Sequence, residues 1–439
     1  MFIVAFGSVH RGRPRRWQVV GAFVVALVLA GTVQSVRAQQ TLSLDQALRL
    51  AQDRSRQLVG YDSAAAAARD MAVAVGTLPD PTLKAGINNL PVNGPDQFSV
   101  TSDSMTMRSI GVMQEFTREE KRRARASRLE READAAVAGR TLTLANLQRD
   151  TAVAWLDRYY QERMRDVLVA QRDEAKLQIE AADALYRTGR GMQADVFAAR
   201  SSVAQIEDRI AQSDRQIATA TTQLSRWVGE SAAQQALEAA PSTDSVRLDA
   251  AELQTQLEHH PQIAIMARQE DVARADADIA RANKRADWTV ELMYSQRGPS
   301  YSNMISLNVS IPLQWDQKNR QERELAAKLA MAEQMRAQRE EASREHVAEA
   351  RMMLQEWQSD RERITRYDSS LIPLAVERTR AALIAYRGGM GSLTSVLEAR
   401  RNEIDVRMER LRLEMDIGRL WAQLNYLVPT SHNTAASRP

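Results

Sequence analysis

Two stretches of the chain, 200 residues apart, read as near copies: Tyr186-Arg187-Thr188-Gly189-Arg190-Gly191 and Tyr386-Arg387-Gly388-Gly389-Met390-Gly391. The register holds without a gap through Val196, Ala199 and Arg200 against Val396, Ala399 and Arg400. A repeat at a fixed offset constrains the fold more than composition does, because each copy must build the same supersecondary unit. Each copy is flanked by long Ala- and charge-rich patterns of helical period. Each also lies about 70 residues downstream of a segment that alternates like a strand. The unit is helix, strand pair, long helix, tight glycine turn and return helix, made twice.

The first copy opens with a helix expected over 43–77. Ser43 is placed as N-cap, and Leu44, Ala47, Leu48 and Ala51 follow at helical spacing. Ala64 to Ala68 offer a small-residue packing face, and Leu78-Pro79-Asp80-Pro81 stops the helix. Strands are expected over 82–89 and 106–116, around the turn-rich loop Leu90 to Pro95. Ile110, Val112 and Phe116 share a face, but Met105 and Met107 fall out of phase, which leaves a bulge or register slip open.

The second copy is cleaner. Trp288, Val290, Leu292 and Tyr294 alternate with Thr289, Glu291, Met293 and Ser295. After the Gly298-Pro299 turn, Ile305, Leu307, Val309, Ile311 and Leu313 alternate with Ser306, Asn308, Ser310 and Pro312. Period-two patterning makes one face apolar and the other polar. Each run is about nine residues, the length a tilted strand needs to cross a bilayer.

Unbroken helical patterns follow both strand pairs, over 117–187 and 316–387, each about 100 Å of helix. Val153, Leu156, Tyr160 and Val167 stripe the first. Ile372, Val376, Thr379, Leu383 and Tyr386 form a coiled-coil seam on the second. Return helices run to 228 and 428, and Leu397, Ile404, Met408, Leu411 and Met415 keep heptad spacing on the last. The domain reading is a first repeat over 39–228, a linker over 229–247, a second repeat over 248–428 and a disordered tail over 429–439.

Four membrane-strand candidates per chain cannot close a barrel alone. Hydrocarbon tolerates no open sheet edge, and single-chain barrels need at least eight strands. Several copies must therefore share one, as a dimer of eight strands or a trimer of twelve. An open conduit favours the trimer.

Residues 1–38 read as an export signal. Arg11, Arg13, Arg15 and Arg16 precede the apolar run Val19 to Gly31, and Val36-Arg37-Ala38 is a small-residue cleavage site. Removing them lowers Lys+Arg from 59 to 54 against an unchanged 56 acids, a net charge near −2. The basic balance thus belongs to the signal, and nucleic acid is excluded as a partner. With Cys 0, the chain has neither disulfides nor the usual attachment point for a lipid anchor.

With these features in place, the chain resembles the TolC-like outer-membrane efflux protein family over nearly all of residues 41–428. The resemblance rests on the export signal, the duplicated helix–hairpin–helix unit and the tip motif Tyr-Arg-x-Gly with Val seven residues later. The run from Leu78 to Leu83 and the segment Met105 to Phe116 with its basic continuation to Arg125 resemble the heavy-metal (CusC- and CzcC-like) branch. The chain departs from the family's Asn-Pro near a helix start, having His260-Pro261 in one copy and Ser55-Arg56 in the other.

The resemblance implies a mixed α and β protein: a transmembrane β-barrel shared between protomers, four strands per chain, on a long α-helical periplasmic tunnel. It implies a homotrimer in outer-membrane lipid, serving as exit duct of a tripartite pump with a periplasmic membrane-fusion adaptor and an inner-membrane RND-type pump, and carrying heavy-metal ions. By position, Gly189, Arg190, Gly191, Gly389, Met390 and Gly391 become the adaptor-docking tips. The family's acidic constriction on the last return helix meets Ser395, a departure, and then Glu398. A pore gate would rest on Glu398 with Asp195 from the first copy.

No phosphate-binding loop, metalloprotease helix or nucleophile elbow occurs, so the chain reads as a non-enzyme without cofactor. His259, His260, His346 and His432 lack zinc-ligand spacing, and no metal ligand is assigned. Met105, Met107 and Met113 are of a type that contacts soft monovalent metals, but such residues commonly fill barrel walls. The run Arg118 to Arg125 is read as a solvated collar where barrel meets helix. The alternative function is a periplasmic coiled-coil adaptor or a structural protein of an export system. An adaptor would carry one hairpin flanked by two lipoyl-like β halves, not two hairpins and two amphipathic strand pairs, and a structural coiled-coil protein would not need the strand pairs.

Overall fold

The computed structural model of the chain describes residues 41–248, 253, 255 and 260–429. The export signal and the tail from 430 lie outside the described residues.

Ser43 caps α1 (Leu44–Arg54) through a reciprocal box: its Oγ accepts from Gln46 N at 3.1 Å while Gln46 Oε1 accepts from Ser43 N at 3.3 Å. The single helix expected over 43–77 is in fact two. Ser55 adopts an extended conformation, and its hydroxyl restarts the chain as N-cap of α2 (Arg56–Gly76) by accepting from Leu58 N at 3.4 Å. Of Ala64 to Ala68 only Ala65 is buried. The close approach lies beside it, where a Cβ on Gly139 would sit 2.6 Å from the Tyr61 ring. In the second repeat His260 does the work of Ser55. Its Nδ1 accepts from Gln262 N at 3.3 Å to cap α6 (Pro261–Ala282), with Pro261 at the first helical position.

β1 (Thr82–Asn88), β2 (Met107–Phe116), β3 (Trp288–Gln296) and β4 (Met304–Ser310) form one antiparallel sheet in chain order. The pairing is continuous from Asn88↔Met107 to Thr82↔Met113 and from Arg108↔Gln296 to Phe116↔Trp288, so β2 carries no bulge. Met107 simply lies on the opposite face from Ile110. β4 ends at Ser310, three residues short of expectation. Pro312 has no N–H to give a ladder, and β4 is the last strand of the sheet.

α3 (Glu119–Arg187) is a single helix of 69 residues, about 100 Å long. It turns into α4 (Gln193–Val228), which leads through the short α5 (Glu230–Ala233) into the linker. The linker is better tied than its lack of period suggests: Leu42 forms a parallel bridge with Leu237, and Trp155 Nε1 donates to Leu42 O at 3.1 Å. The second long helix is broken, contrary to expectation. α7 (Gln321–Arg366) passes through a π-helical turn (Tyr367–Leu371) into α8 (Ile372–Arg387), then α9 (Leu393–Asn425) returns. Pro373 explains the break, because it denies a donor to the carbonyl one turn back and the ladder re-registers, with Ile372 N donating to Tyr367 O.

The main core joins the repeats. Trp155, Leu156, Tyr160 and Leu168 of α3 pack with Val203 and Ile206 of α4, Leu44 and Leu48 of α1, and Ile404 and Met408 of α9. A second core lies between α7 and α9, around Leu354, Trp357, Leu413, Ile417 and Leu424. The seam expected on α8 is only partly covered: Thr379 is buried, whereas Ile372, Val376, Leu383 and Tyr386 are half-buried.

His260 also sets a pH dependence. Burial, and then the His346 ring 5.0 Å away, push its imidazole down from 6.5 to about 4. Arg149, His346, Glu349 and Tyr426 share its cavity of about 260 Å³. The unfolded chain therefore takes up a proton first, so stability contributed by the neutral imidazole is intact above pH 6.5 and is lost as pH falls towards 4. Thermal unfolding of the solubilised protein, followed by tryptophan fluorescence, should show a midpoint that drops across that window. His260→Asn keeps a capping acceptor without the titration and should flatten the drop; an unchanged slope would contradict the assignment.

Candidate channel wall and docking tips

The two glycine tips close with the same hydrogen bonds. Gly189 N donates to Tyr186 O at 3.0 Å and Arg190 N to Leu185 O at 2.9 Å; Gly389 N donates to Tyr386 O at 3.0 Å and Met390 N to Ala385 O at 2.9 Å. This pairing is the Schellman motif, which requires a left-handed residue just past the helix. Gly189 and Gly389 supply it, at φ 72° and 73°. Gly191 and Gly391 serve space instead: a Cβ at either would lie 3.1 Å from the tyrosine N of its own tip.

Ala182, Val196 and Ala199 of the first hairpin pack with Leu393 and Val396 of the second, so the tips form one unit. Their chemistry differs, Arg190 being exposed on one and Met390 86% exposed on the other.

The residues proposed for a gate take separate environments. Asp195 is half-buried in the first turn of α4 and acts on Tyr386, whose phenol is pushed above its ordinary value by burial and then by that carboxylate. The Tyr386 hydroxyl itself has no hydrogen-bond partner. Glu398 is exposed and lines a groove between α4 and α9 with Arg209 and Arg401, and Asp195 is not part of that lining. Ser395 is occupied structurally, donating its N–H to the α9 N-cap Ser392 Oγ at 3.2 Å.

At the other end of the hairpins the sheet presents two unlike faces. Leu83, Val112, Leu292 and Leu307 make one row across all four strands, and Ala85, Ile110, Tyr294 and Ile305 the next. Ile305 and Leu307 are 75% and 68% exposed although fully apolar. The reverse face carries Ser, Asn, Thr and Met, with Lys84 Nζ reaching Glu291 Oε2 at 2.9 Å. Phe116 stacks on Trp288 at 4.4 Å at the end nearest the helices, and Trp315, beyond β4, is 87% exposed. Aromatic residues at the border of an apolar band are what a membrane interface selects.

The collar corrects the sequence reading. Glu119, Glu120 and Arg123 are solvated, but Lys121 is buried and pairs with Asp287 at 2.8 Å. Asp287 also accepts from Arg118 N at 2.9 Å, and Arg122 Nη1 donates to Gly76 O at 2.8 Å. Burial alone would raise the Asp287 carboxyl, but the Lys121 ammonium and the Arg118 amide outweigh it and hold the group below its ordinary value. These bonds tie the strand–helix junctions of both repeats together. Sequence reasoning missed them because Lys121 and Asp287 stand 166 residues apart and neither sits in a motif.

Among the described residues no group of three His, Cys, Asp or Glu is placed to hold a metal ion, and no helix is long and apolar enough to cross a membrane.

Comparison with known proteins bears first on the second repeat. Residues 253–428 match the outer membrane efflux protein family. No curated protein matches the chain in sequence. Solved structures extend the likeness in fold to the first repeat. The outer-membrane channel OprN is 16% identical, with a TM-score of 0.72, covering 88% of this chain and 90% of its own. The outer membrane protein VceC of Vibrio cholerae is 17% identical, with a TM-score of 0.71, over 88% of this chain and 95% of its own. CusC is 17% identical, with a TM-score of 0.70, over 87% and 92%. The fold of these solved structures thus spans both copies.

The register predicts a sided response. Val309 lies on the apolar face and Asn308 on the polar one, opposite Glu291. An arginine at the lipid-facing midplane of a barrel costs about 2–4 kcal/mol, whereas a lumen tolerates charge. Val309→Arg should deplete heat-resistant oligomer in outer-membrane fractions far more than Asn308→Arg; equal depletion would mean the faces are misassigned.

Proposed function

We propose that the chain is the outer-membrane exit duct of a tripartite efflux pump, closing a twelve-strand barrel as a homotrimer and carrying heavy-metal ions. One observation supports this above the others: a four-stranded sheet with a continuous exposed apolar face and one free edge on each side sits at the root of helical hairpins about 100 Å long. Three copies joined β4 to β1 would pair every edge. Outer-membrane lipid then covers the Leu83–Leu307 row, and the polar face lines the lumen. The half-covered α8 seam and exposed Leu374 and Ile384 are left for a neighbouring protomer. The alternative adaptor or structural reading gives this apolar face no solvent.

In the same reading, residues 1–38 direct export and are removed. Gly189–Gly191 and Gly389–Gly391 meet a membrane-fusion adaptor, itself seated on an RND-type inner-membrane pump. Asp195 and Glu398 form the acidic constriction near the tips. Support for metal cargo is the heavy-metal character of the segment from Leu78 to Arg125, and CusC stands among the structures of like fold.

Gly389→Val tests the docking role. A β-branched residue at φ 73° is strained, yet nothing lies within 4 Å of the position, so the damage stays at the tip. Trimers in the outer membrane should persist while tolerance to copper, silver, zinc or cobalt is lost. Normal trimers with full tolerance, in a strain that depends on this protein, would refute the role of the tip.

A further inference from the structure

The apolar face of the sheet, the one with the Leu83–Leu307 row, carries a single charged side chain on β1–β4, Arg108. It stands opposite Ile87 on β1 and Gln296 on β3, one step beyond the row of Ala85, Ile110, Tyr294 and Ile305. The side chain is half-buried, and its Nε is shut off from water without a hydrogen bond. Among the described residues no ion pair or hydrogen bond engages the rest of the guanidinium. Gln296 beside it is exposed. Asn303, two residues before Ile305, spends its Oδ1 on Arg297 N at 3.3 Å and keeps its amide hydrogens to give.

Phe116, stacked on Trp288, lies on the same face of β2 at its other end. At about 3.3 Å per residue and a tilt of about 40°, Arg108 stands about 20 Å from that aromatic row, with the apolar band between. The cations at the tunnel end are all engaged: Lys121 pairs with Asp287, Arg123 with Glu119 and Arg285 with Glu120, and Arg122 donates to Gly76 O. The loop end leaves one guanidinium open instead. Barrel closure would not supply its counter-charge. Arg108 is on an inner strand, and the apolar-face residues of the edge strands, Leu83, Ala85 and Ile87 on β1 and Ile305, Leu307 and Val309 on β4, include no acid. In the loop between β1 and β2, Asp103 already accepts from Met105 N and Thr106 N.

We propose that Arg108, with the Gln296 and Asn303 amides, binds the phosphate of an outer-leaflet glycolipid headgroup, that of lipid A, on the outside of the barrel. The inference rests on the duct reading, which turns this face to lipid and places its loop end at the outer leaflet. A guanidinium matches a phosphate with paired N–H donors, and the apolar rows below it would hold the acyl chains of the same lipid.

The test uses the oligomer purified from outer membranes in mild detergent, with bound lipid counted by native mass spectrometry. It is titrated with bis-phosphorylated lipid A, with the same lipid dephosphorylated, and with inorganic phosphate as competitor. The wild type should retain the phosphorylated lipid about tenfold more tightly, the worth of one charge-assisted contact. Arg108→Gln should erase that preference, and Arg123→Gln at the opposite end of the sheet should keep it. Equal retention of the two lipids by the wild type, or an undiminished preference in Arg108→Gln, would overturn the site. Displacement of the lipid by millimolar inorganic phosphate would overturn its assignment to a headgroup. The duct reading is decided separately: it falls if the wild type forms no outer-membrane oligomer, and it survives if oligomers form but show no preference for the phosphorylated lipid.

Discussion

Backbone hydrogen bonding at the two sheet edges is the constraint from which the rest follows. β1 and β4 each have one neighbour, and the residues they carry into the open include Leu83, Ile87, Ile305, Leu307 and Val309. Water can satisfy a bare edge, but an apolar band of this kind is made for a place where water is absent. In hydrocarbon each unpaired amide or carbonyl costs several kcal/mol. In the duct we propose, these edges meet other edges, and copies of the same chain supply them.

The helical half of the molecule transmits that geometry. Lys121, Asp287, Arg118 and Arg122 fasten the junctions of both repeats where strands become helices, so the hairpins leave the sheet in a defined direction. About 100 Å away the same glycine turn appears twice, and the Val196–Val396 cluster binds the two tips into one surface. The repeats are not equivalent in between. α3 runs unbroken, whereas Pro373 puts a π turn into the second hairpin shortly before its tip. Ser55 and His260 cap equivalent helices, but only His260 carries a titratable group, which burial pushes down to about 4.

Much of this was legible in the sequence because period and punctuation are local signals. The alternation from Trp288 to Tyr294 gave the strand and its face, and the glycines at 189 and 389 gave the turns with their left-handed residue. What escaped was set by tertiary pairing. The α1–α2 break at Ser55 lies inside an uninterrupted helical pattern. The Lys121–Asp287 pair joins residues that no local rule connects. The surroundings of the two gate candidates were not legible either: Asp195 lies by Tyr386, while Glu398 lines a groove with Arg209 and Arg401.

The chain has no cysteine, so introduced pairs can be read against a clean background. Placing one cysteine on β1, at Thr82, Lys84 or Gly86, and one on β4, at Ser306, Asn308 or Ser310, and oxidising intact outer membranes tests edge pairing directly. At least one combination should yield covalent dimers and trimers that revert on reduction, with neither single-cysteine parent doing so. Crosslinks confined within one chain, or none across the whole set in protein that reaches the membrane, would contradict a barrel closed by β4 of one copy against β1 of the next.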